Sequence, residues 1–249
     1  MTKGIDCATP LTYINARALA QQGYRFAARY LVPSSYAWKR LTSSEADAIS
    51  KAGMQVISVF ETTANRPAGG AAAGEEDGKA AFKETKLVGQ PEGSAIYFAV
   101  DYDAQPRDYD AIEQYLIVAA KQIPGYLTGV YGSYAVVEEM AKRNACTCFW
   151  QTYAWSQGKK SDHANVYQYQ NNVVIAGVSL DLNVSYDGEG WWNTAEEEPT
   201  MSKDDAEKII RFLSAGWYVA TTKTDKEEYN RLANEVRKAA GLPLESSVK

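Results

Sequence analysis

Eight short apolar runs, the early ones separated by stretches with helical spacing, constrain this chain more than any other feature. The runs are Lys3–Ala8, Tyr24–Val32, Gln55–Glu61, Ser94–Asp103, Leu127–Ser133, Cys146–Trp155, Asn165–Gln170 and Val178–Asn183. Between them, helices are expected over Thr12–Gln22, from Thr42-Ser-Ser-Glu45 (a capping-box spacing) to Ala52, and over Glu75–Val88, Asp108–Ile123 and Tyr134–Arg143. A strand that returns through a helix lies parallel to its predecessor, so alternation throughout predicts an α/β fold built on a parallel sheet. Eight repeats in so short a stretch fit a (β/α)8 TIM-type barrel with reduced late helices, since no long helix follows the sixth run. The alternative, a doubly wound open sheet, needs a glycine-rich first turn that Asp6-Cys-Ala-Thr-Pro10 does not provide. Ala68-Gly-Gly-Ala-Ala-Ala-Gly74 reads as a small, flexible segment, and no Gly-Lys-Ser/Thr follows it to make a phosphate loop.

Composition changes after Trp191-Trp192. The expected organisation is a barrel over 1–193, an acidic linker over 194–201 containing Glu196-Glu-Glu-Pro199, and a helical hairpin over 202–249. Ser202 offers an N-cap to a helix with Ile209, Ile210, Phe212 and Leu213 on one side. The second helix, Asp225–Ala240, carries Tyr229, Leu232, Ala233 and Val236. A hairpin of about 50 residues is too small to bury a core alone. It is expected to dock on the barrel, to self-associate, or to dock on a partner.

Several function classes fall away on composition. A formal charge of -5 speaks against a nucleic-acid-binding surface. No run of about 18 apolar residues is present, so no membrane span is expected, and no apolar signal region follows Met1. His163 is the single histidine, which excludes the two-His zinc hydrolases. It sits in a polar loop, Gly158-Lys-Lys-Ser-Asp-His163, poorly placed to pair with Cys7 as a Cys–His hydrolase. None of the three cysteines has zinc-type spacing, and all are expected as buried thiols. No cofactor is predicted. The 17 tyrosines and 6 tryptophans suit either a cleft that stacks on sugar rings or an aromatic core.

The chemistry-bearing pattern is a set of acids at strand ends: Asp6, Glu61, Asp101, Asp103 and Asp181. A barrel gathers strand ends at one mouth, and its first and last strands are neighbours, which places Asp6 near Asp181. On an extended chain Asp101 and Asp103, at i and i+2, point to the same side. Crowded carboxylates raise one another's pKa, and a protonated acid beside ionised ones is what glycosidic cleavage requires. Any one such Asp can instead cap the following helix or end a turn. An all-oxygen cluster also suits Mg²⁺ or Ca²⁺, but no phosphate-site sequence accompanies it, and the prediction is no metal. Arg29, Tyr30, Tyr131, Trp150, Tyr153 and Gln168 end or follow strands and are candidate substrate-binding residues; each could equally be core or rim.

Lys3-Gly-Ile-Asp6, Phe98-Ala-Val-Asp-Tyr-Asp103 and the segment from Val166-Tyr-Gln-Tyr-Gln170 to Ala176-Gly-Val-Ser-Leu-Asp-Leu-Asn183 resemble the family 25 glycosyl hydrolase lysozymes. The resemblance covers residues 3–192 and is closer to their divergent relatives, the glycoside-hydrolase-like barrel domains of bacteria and phages. It implies hydrolysis of the β-1,4 bond between N-acetylmuramic acid and N-acetylglucosamine, with bacterial cell-wall glycan as partner. With no apolar signal region in view, synthesis in the cytoplasm and action at the wall are expected, as a phage lysin or by a non-classical route, and the position of the hairpin suggests a wall-targeting or assembly module. The first- and eighth-strand acids of the lysozymes match Asp6 and Asp181, and Asp101 matches their nucleophile or electrostatic stabiliser. Their fourth-strand pair is Asp-x-Glu, with the Glu as general acid, where this chain has Asp101-x-Asp103. An Asp carboxyl reaches about 1.5 Å less far than a Glu, one C–C bond. Three readings follow: Asp103 still protonates the leaving oxygen, Glu61 takes that role from the neighbouring strand, or the barrel binds glycan or serves a phage structure without cutting.

Overall fold

In a computed structural model of the chain, the strands are β1 (Thr2–Asp6), β2 (Phe26–Tyr30), β3 (Gln55–Phe60), β4 (Ala95–Ala99), β5 (Leu127–Gly132), β6 (Cys148–Thr152), β7 (Val166–Ile175) and β8 (Val178–Ser185). They close into a barrel in chain order. Helices α1 (Tyr13–Gln21), α2 (Ser43–Lys51), α3 (Gly70–Val88), α4 (Tyr109–Gln122) and α5 (Tyr134–Lys142) follow the first five strands. The structure describes residues 1–194 and 201–245. Most of the expected acidic linker, 195–200, and residues 246–249 lie outside the described residues. No helix among the described residues is long and apolar enough to cross a membrane.

Strands β1 to β7 run parallel to their neighbours, as expected, but β8 is antiparallel to both β7 and β1. The cause is local. Ala176 and Gly177 both have positive φ, 52° and 75°, and join Ile175 directly to Val178 as a two-residue hairpin. Such a turn reverses the chain, and with no helix between them β7 and β8 cannot be parallel.

The expected flexible segment Ala68–Gly74 is also different: Gly70–Gly74 forms the first turns of α3. A Cβ on Gly74 would stand 2.3 Å from the Tyr115 carbonyl oxygen, and one on Gly78 2.8 Å from that of Ala119. The glycines let α3 lie against the α4 backbone, which outweighs their own poor helix propensity, while Ala71–Ala73 favour the helix outright.

Alternation along the strands separates two cores. Outward residues such as Ile5, Ala27, Leu31, Val56 and Phe98 pack under the helices. Inward residues Phe26, Ala28, Ile57, Val59, Tyr97, Ala99, Trp150 and Val166 fill the barrel. A Cβ at Gly4 would stand 2.2 Å from the Phe26 ring, so β1 has no inward side chain at that level and the ring takes the space. Trp150 then stacks edge-on against Tyr97 and Tyr131, at 5.9 and 4.9 Å between ring centres. With its lower half plugged by rings, the barrel has an open position only above them, at the end where β1 to β7 terminate.

The chain divides into two compact units, 1–195 and 196–249. The second contains α6 (Lys203–Val219) and α7 (Lys223–Ala239), capped by Ser202 and Thr222. The two helices approach closely where Gly216 meets the Tyr229 ring. Phe212 and Tyr218 are each 79% exposed.

Candidate active site

The inward positions above the ring layer line a cavity of about 130 Å³. Its walls carry Asp6 from β1, Tyr30 from β2, Tyr131 from β5, Trp150 from β6, Gln168 and Asn171 from β7, and Asp181 from β8. Glu61 and Asp101 join from the residues just beyond β3 and β4. Asp6 and Asp181 are direct register partners across the β1–β8 ladder.

One network ties the floor together. Gln168 Nε2 donates to Asp6 Oδ2 at 2.8 Å and to Asp181 Oδ2 at 3.3 Å. Its Oε1 accepts from the hydroxyls of Tyr131 and Thr152 at 3.0 and 2.8 Å. Asn183 Nδ2 donates to the same Asp6 Oδ2 at 2.6 Å, and Asn183 Oδ1 accepts the Trp150 indole N–H at 2.9 Å. The donor-only Trp150 indole fixes Asn183 with its amide N–H toward Asp6. Gln168 is oriented by the Asp6 and Asp181 carboxylates on its Nε2, with the Tyr131 and Thr152 hydroxyls donating to its Oε1.

Burial and the neighbouring Asp181 charge push the Asp6 carboxyl up to about 7, against the weaker lowering by Gln168 and Asn183. Burial also raises Asp101, where the repulsion of Glu61 is partly offset by Lys39. Asp181 is raised by burial and lowered by the Asn172 backbone N–H, which it accepts at 2.8 Å. Burial raises the Tyr30 and Tyr131 phenols, so both are neutral hydrogen-bonding groups.

Of the eleven residues expected in the site, eight line this cavity and three do not. Asp103 is exposed and outside it. β4 ends at Ala99, the Asp101 N–H bonds to the Ala64 carbonyl and the Ala104 N–H to that of Tyr102, so the alternation that would align Asp103 with Asp101 has stopped. Arg29 is fully buried on the outer side of β2. Its Nε meets Glu45 Oε1 at 2.6 Å, and its other nitrogens reach the Cys7 and Lys39 carbonyls. Adjacent Arg29 and Tyr30 point to opposite faces, and only Tyr30 can enter the barrel. Tyr153, one residue past β6, is 42% exposed and outside the cavity.

Other participants lie outside the expected set. Lys39, 4% exposed, places Nζ 3.2 Å from Glu61 Oε2 and 4.3 Å from the centre of the Tyr30 ring. Asn171 Oδ1 is buried on the cavity wall with no partner among the described residues. A register shift between Gln170 and Val173 puts it there. Asn183 stood in the quoted Asp-Leu-Asn segment, and its inward parity with Asp181 marks it. Lys39 sits in a loop and Asn171 in a bulge, where no periodicity exists to read. Among the described residues no group of three or more His, Cys, Asp or Glu is arranged to hold a metal ion. Cys7 is buried, which pushes its thiol up to about 12 and leaves no thiolate nucleophile.

Residues 17–187 match the model of a family described as Rv2525c-like, glycoside hydrolase-like domain. A curated relative, the uncharacterized protein FadG of Bacillus subtilis (strain 168), is 33% identical over 155 residues, 58% of this chain and 26% of FadG. The chain thus spans about a quarter of the length of that relative. Among solved structures, the Mycobacterium tuberculosis Tat-secreted protein Rv2525c, in complex with L-tartrate, superposes with a TM-score of 0.70 and 24% identity, covering 77% of this chain and 98% of that one. The modular autolysin LytC of Streptococcus pneumoniae, in complex with a synthetic peptidoglycan ligand, gives 0.55 and 13%, covering 74% and 46%. At these identities the structural likeness is one of fold.

Proposed function

The chain belongs to the Rv2525c-like family of glycoside-hydrolase-like domains, whose barrel is related to that of the family 25 lysozymes and muramidases, and from that premise we propose that it hydrolyses the β-1,4 bond between N-acetylmuramic acid and N-acetylglucosamine in peptidoglycan. The observation that carries this reading is the meeting of Asp6, Asp101 and Asp181 in one aromatic-walled cavity, where burial pushes the Asp6 carboxyl up to about 7. An acid and a carboxylate together supply what an oxocarbenium-like transition state needs: a proton for the departing oxygen and a negative charge for C1. Asp101 provides the charge, either directly or by orienting the substrate's 2-acetamido group. Tyr30, Tyr131 and Trp150 give ring faces and edges for a sugar. The unpartnered Asn171 Oδ1 is an acceptor for a substrate N–H or hydroxyl. That the modular autolysin LytC, part of which shares this fold, is in complex with a synthetic peptidoglycan ligand supports the choice of polymer.

A second reading, a wall-binding or phage-structural protein on a degenerate barrel, is favoured by one observation. Asp103, the position of the lysozymes' general acid, is outside the cavity. Release of reducing ends from purified walls of several bacteria separates the two readings. Hydrolysis that Asp101→Asn abolishes supports the enzyme. Binding to insoluble peptidoglycan with no reducing ends from any wall supports the binder. For the second unit we propose a wall-targeting or assembly role, supported by the exposed Phe212 and Tyr218 on a hairpin too small to bury a core of its own.

A further inference from the structure

Given the hydrolase reading, on which this rests, we propose that Asp6 at the end of β1 is the proton donor to the leaving oxygen, in place of the fourth-strand acid. The geometry removes its competitors in turn. Asp103 is outside the cavity. Glu61 is committed to a buried ion pair with Lys39 at 3.2 Å. Asp181 accepts on both oxygens, from Asn172 N–H on Oδ1 and from Gln168 on Oδ2. Asp101 is itself raised by burial and by the Glu61 charge, with the Lys39 ammonium lowering it in part, but it stands just beyond β4 and is less enclosed than Asp6.

Asp6 is arranged differently. Both of its amide donors, Gln168 and Asn183, converge on Oδ2, the pattern of a carbonyl-like acceptor, and among the described residues no donor reaches Oδ1. Oδ1 is therefore the oxygen free to carry hydrogen. The residue lines the cavity, 7% exposed, with Asp181 opposite in register and Asp101 across the mouth, both opposing its ionisation. Behind it, Arg29 is neutralised by Glu45, so that cation does little to draw the proton off. In the step, the Oδ1 hydrogen passes to the glycosidic oxygen as the C1–O bond breaks and its electron pair stays on that oxygen. The positive charge at C1 faces Asp101. Water then adds at C1, and the proton it loses restores the Asp6 acid.

The test compares two substrates whose leaving groups differ in their need for a proton: glycan strands from peptidoglycan, and a 2,4-dinitrophenyl β-glycoside of chitobiose. Asp6→Asn should lower glycan hydrolysis by about 10²–10⁴-fold and the dinitrophenyl substrate by less than about tenfold, since a dinitrophenolate leaves unaided. Asp103→Asn should leave both rates within about threefold of wild type. Equal losses on both substrates for Asp6→Asn, or the leaving-group-selective loss appearing in Asp103→Asn, would overturn the assignment. A wild type that cleaves neither substrate overturns the hydrolase reading and the donor role with it; a wrong donor leaves the wild-type rate intact. If Asp6→Asn does not fold, the wild-type carboxyl ¹³C titration decides. Asp6 ionising last among the acids of the site supports the assignment, and Asp6 ionising with the exposed acids refutes it.

Discussion

Asp6 and Arg29 stand near the same ends of neighbouring strands, yet one faces the cavity and the other is sealed beneath the helices. A single step in the period-2 alternation separates these fates. For Asp6 the consequence is a thermodynamic penalty. An unfolded chain loses this proton near the ordinary value of 3.8 and the folded barrel only near 7. Between those values the native state binds more protons, so stability falls as pH rises, with no penalty below about 4 and the full one above about 7. A span of about three pH units corresponds to roughly 4 kcal/mol. Urea unfolding at pH 4 and pH 8 should therefore show Asp6→Asn gaining on wild type by a few kcal/mol at the higher pH, and a constant difference would contradict the burial argument. The same group predicts that glycan cleavage declines as pH rises through about 7. For Arg29 the prediction is structural. Arg29→Met leaves Glu45 buried without its cation, and its cost in urea unfolding should be about 3–5 kcal/mol, with reducing-end release per folded molecule unchanged. Both residues were visible as strand-end candidates in the sequence. What was not visible is parity relative to a barrel interior, because Arg29 and Tyr30 are adjacent and either could be the inward one.

At the scale of elements, the strand–helix order was legible because its signals are local: apolar runs, caps and stops. The errors fall where a distant partner decides. Gly70 and Gly74 flank three alanines that favour a helix, and the glycines are tolerated because α4 offers a backbone to lie against. Gly74→Ala tests this. Ala exceeds Gly by about 1 kcal/mol in an exposed helix, but here its Cβ would stand 2.3 Å from the Tyr115 carbonyl oxygen. The expected result is a loss of about 1–3 kcal/mol, read as a lower melting temperature, and a gain would mean the helices can separate without cost. The reversal of β8 has the same character. Ala176-Gly177 reads as a turn only once β7 is known to extend to Ile175, beyond the Gln170 at which its apolar run was expected to stop. That extension, with its register shifts, also brings Asn171 to the cavity and the Asn172 N–H to Asp181.

On the scale of the whole molecule, β1, β3, β4 and β8 bring the acids to one mouth, Asp181 from within antiparallel β8 and Glu61 and Asp101 from just beyond β3 and β4. A loop and a bulge complete the site with Lys39 and Asn171. The strand-borne part, Asp6, Tyr131, Trp150, Gln168 and Asp181, was legible from position alone. The loop-borne part was not, apart from Glu61, because loops carry no repeating pattern. The two compact units give a prediction of their own. A chain ending at Thr194 should release reducing ends from soluble glycan at the full-length rate while sedimenting less with insoluble walls, and undiminished sedimentation would remove the wall-targeting role from the hairpin. The central claim is that the cavity above the barrel's aromatic layer is a hydrolytic site. The most direct measurement is reducing-end release from purified peptidoglycan by the full-length protein and its Asp101→Asn variant, with folding of both verified. Steady release by the wild type and loss of at least about a hundredfold in the variant is the predicted result. No release by the wild type, or equal release by both, would contradict it.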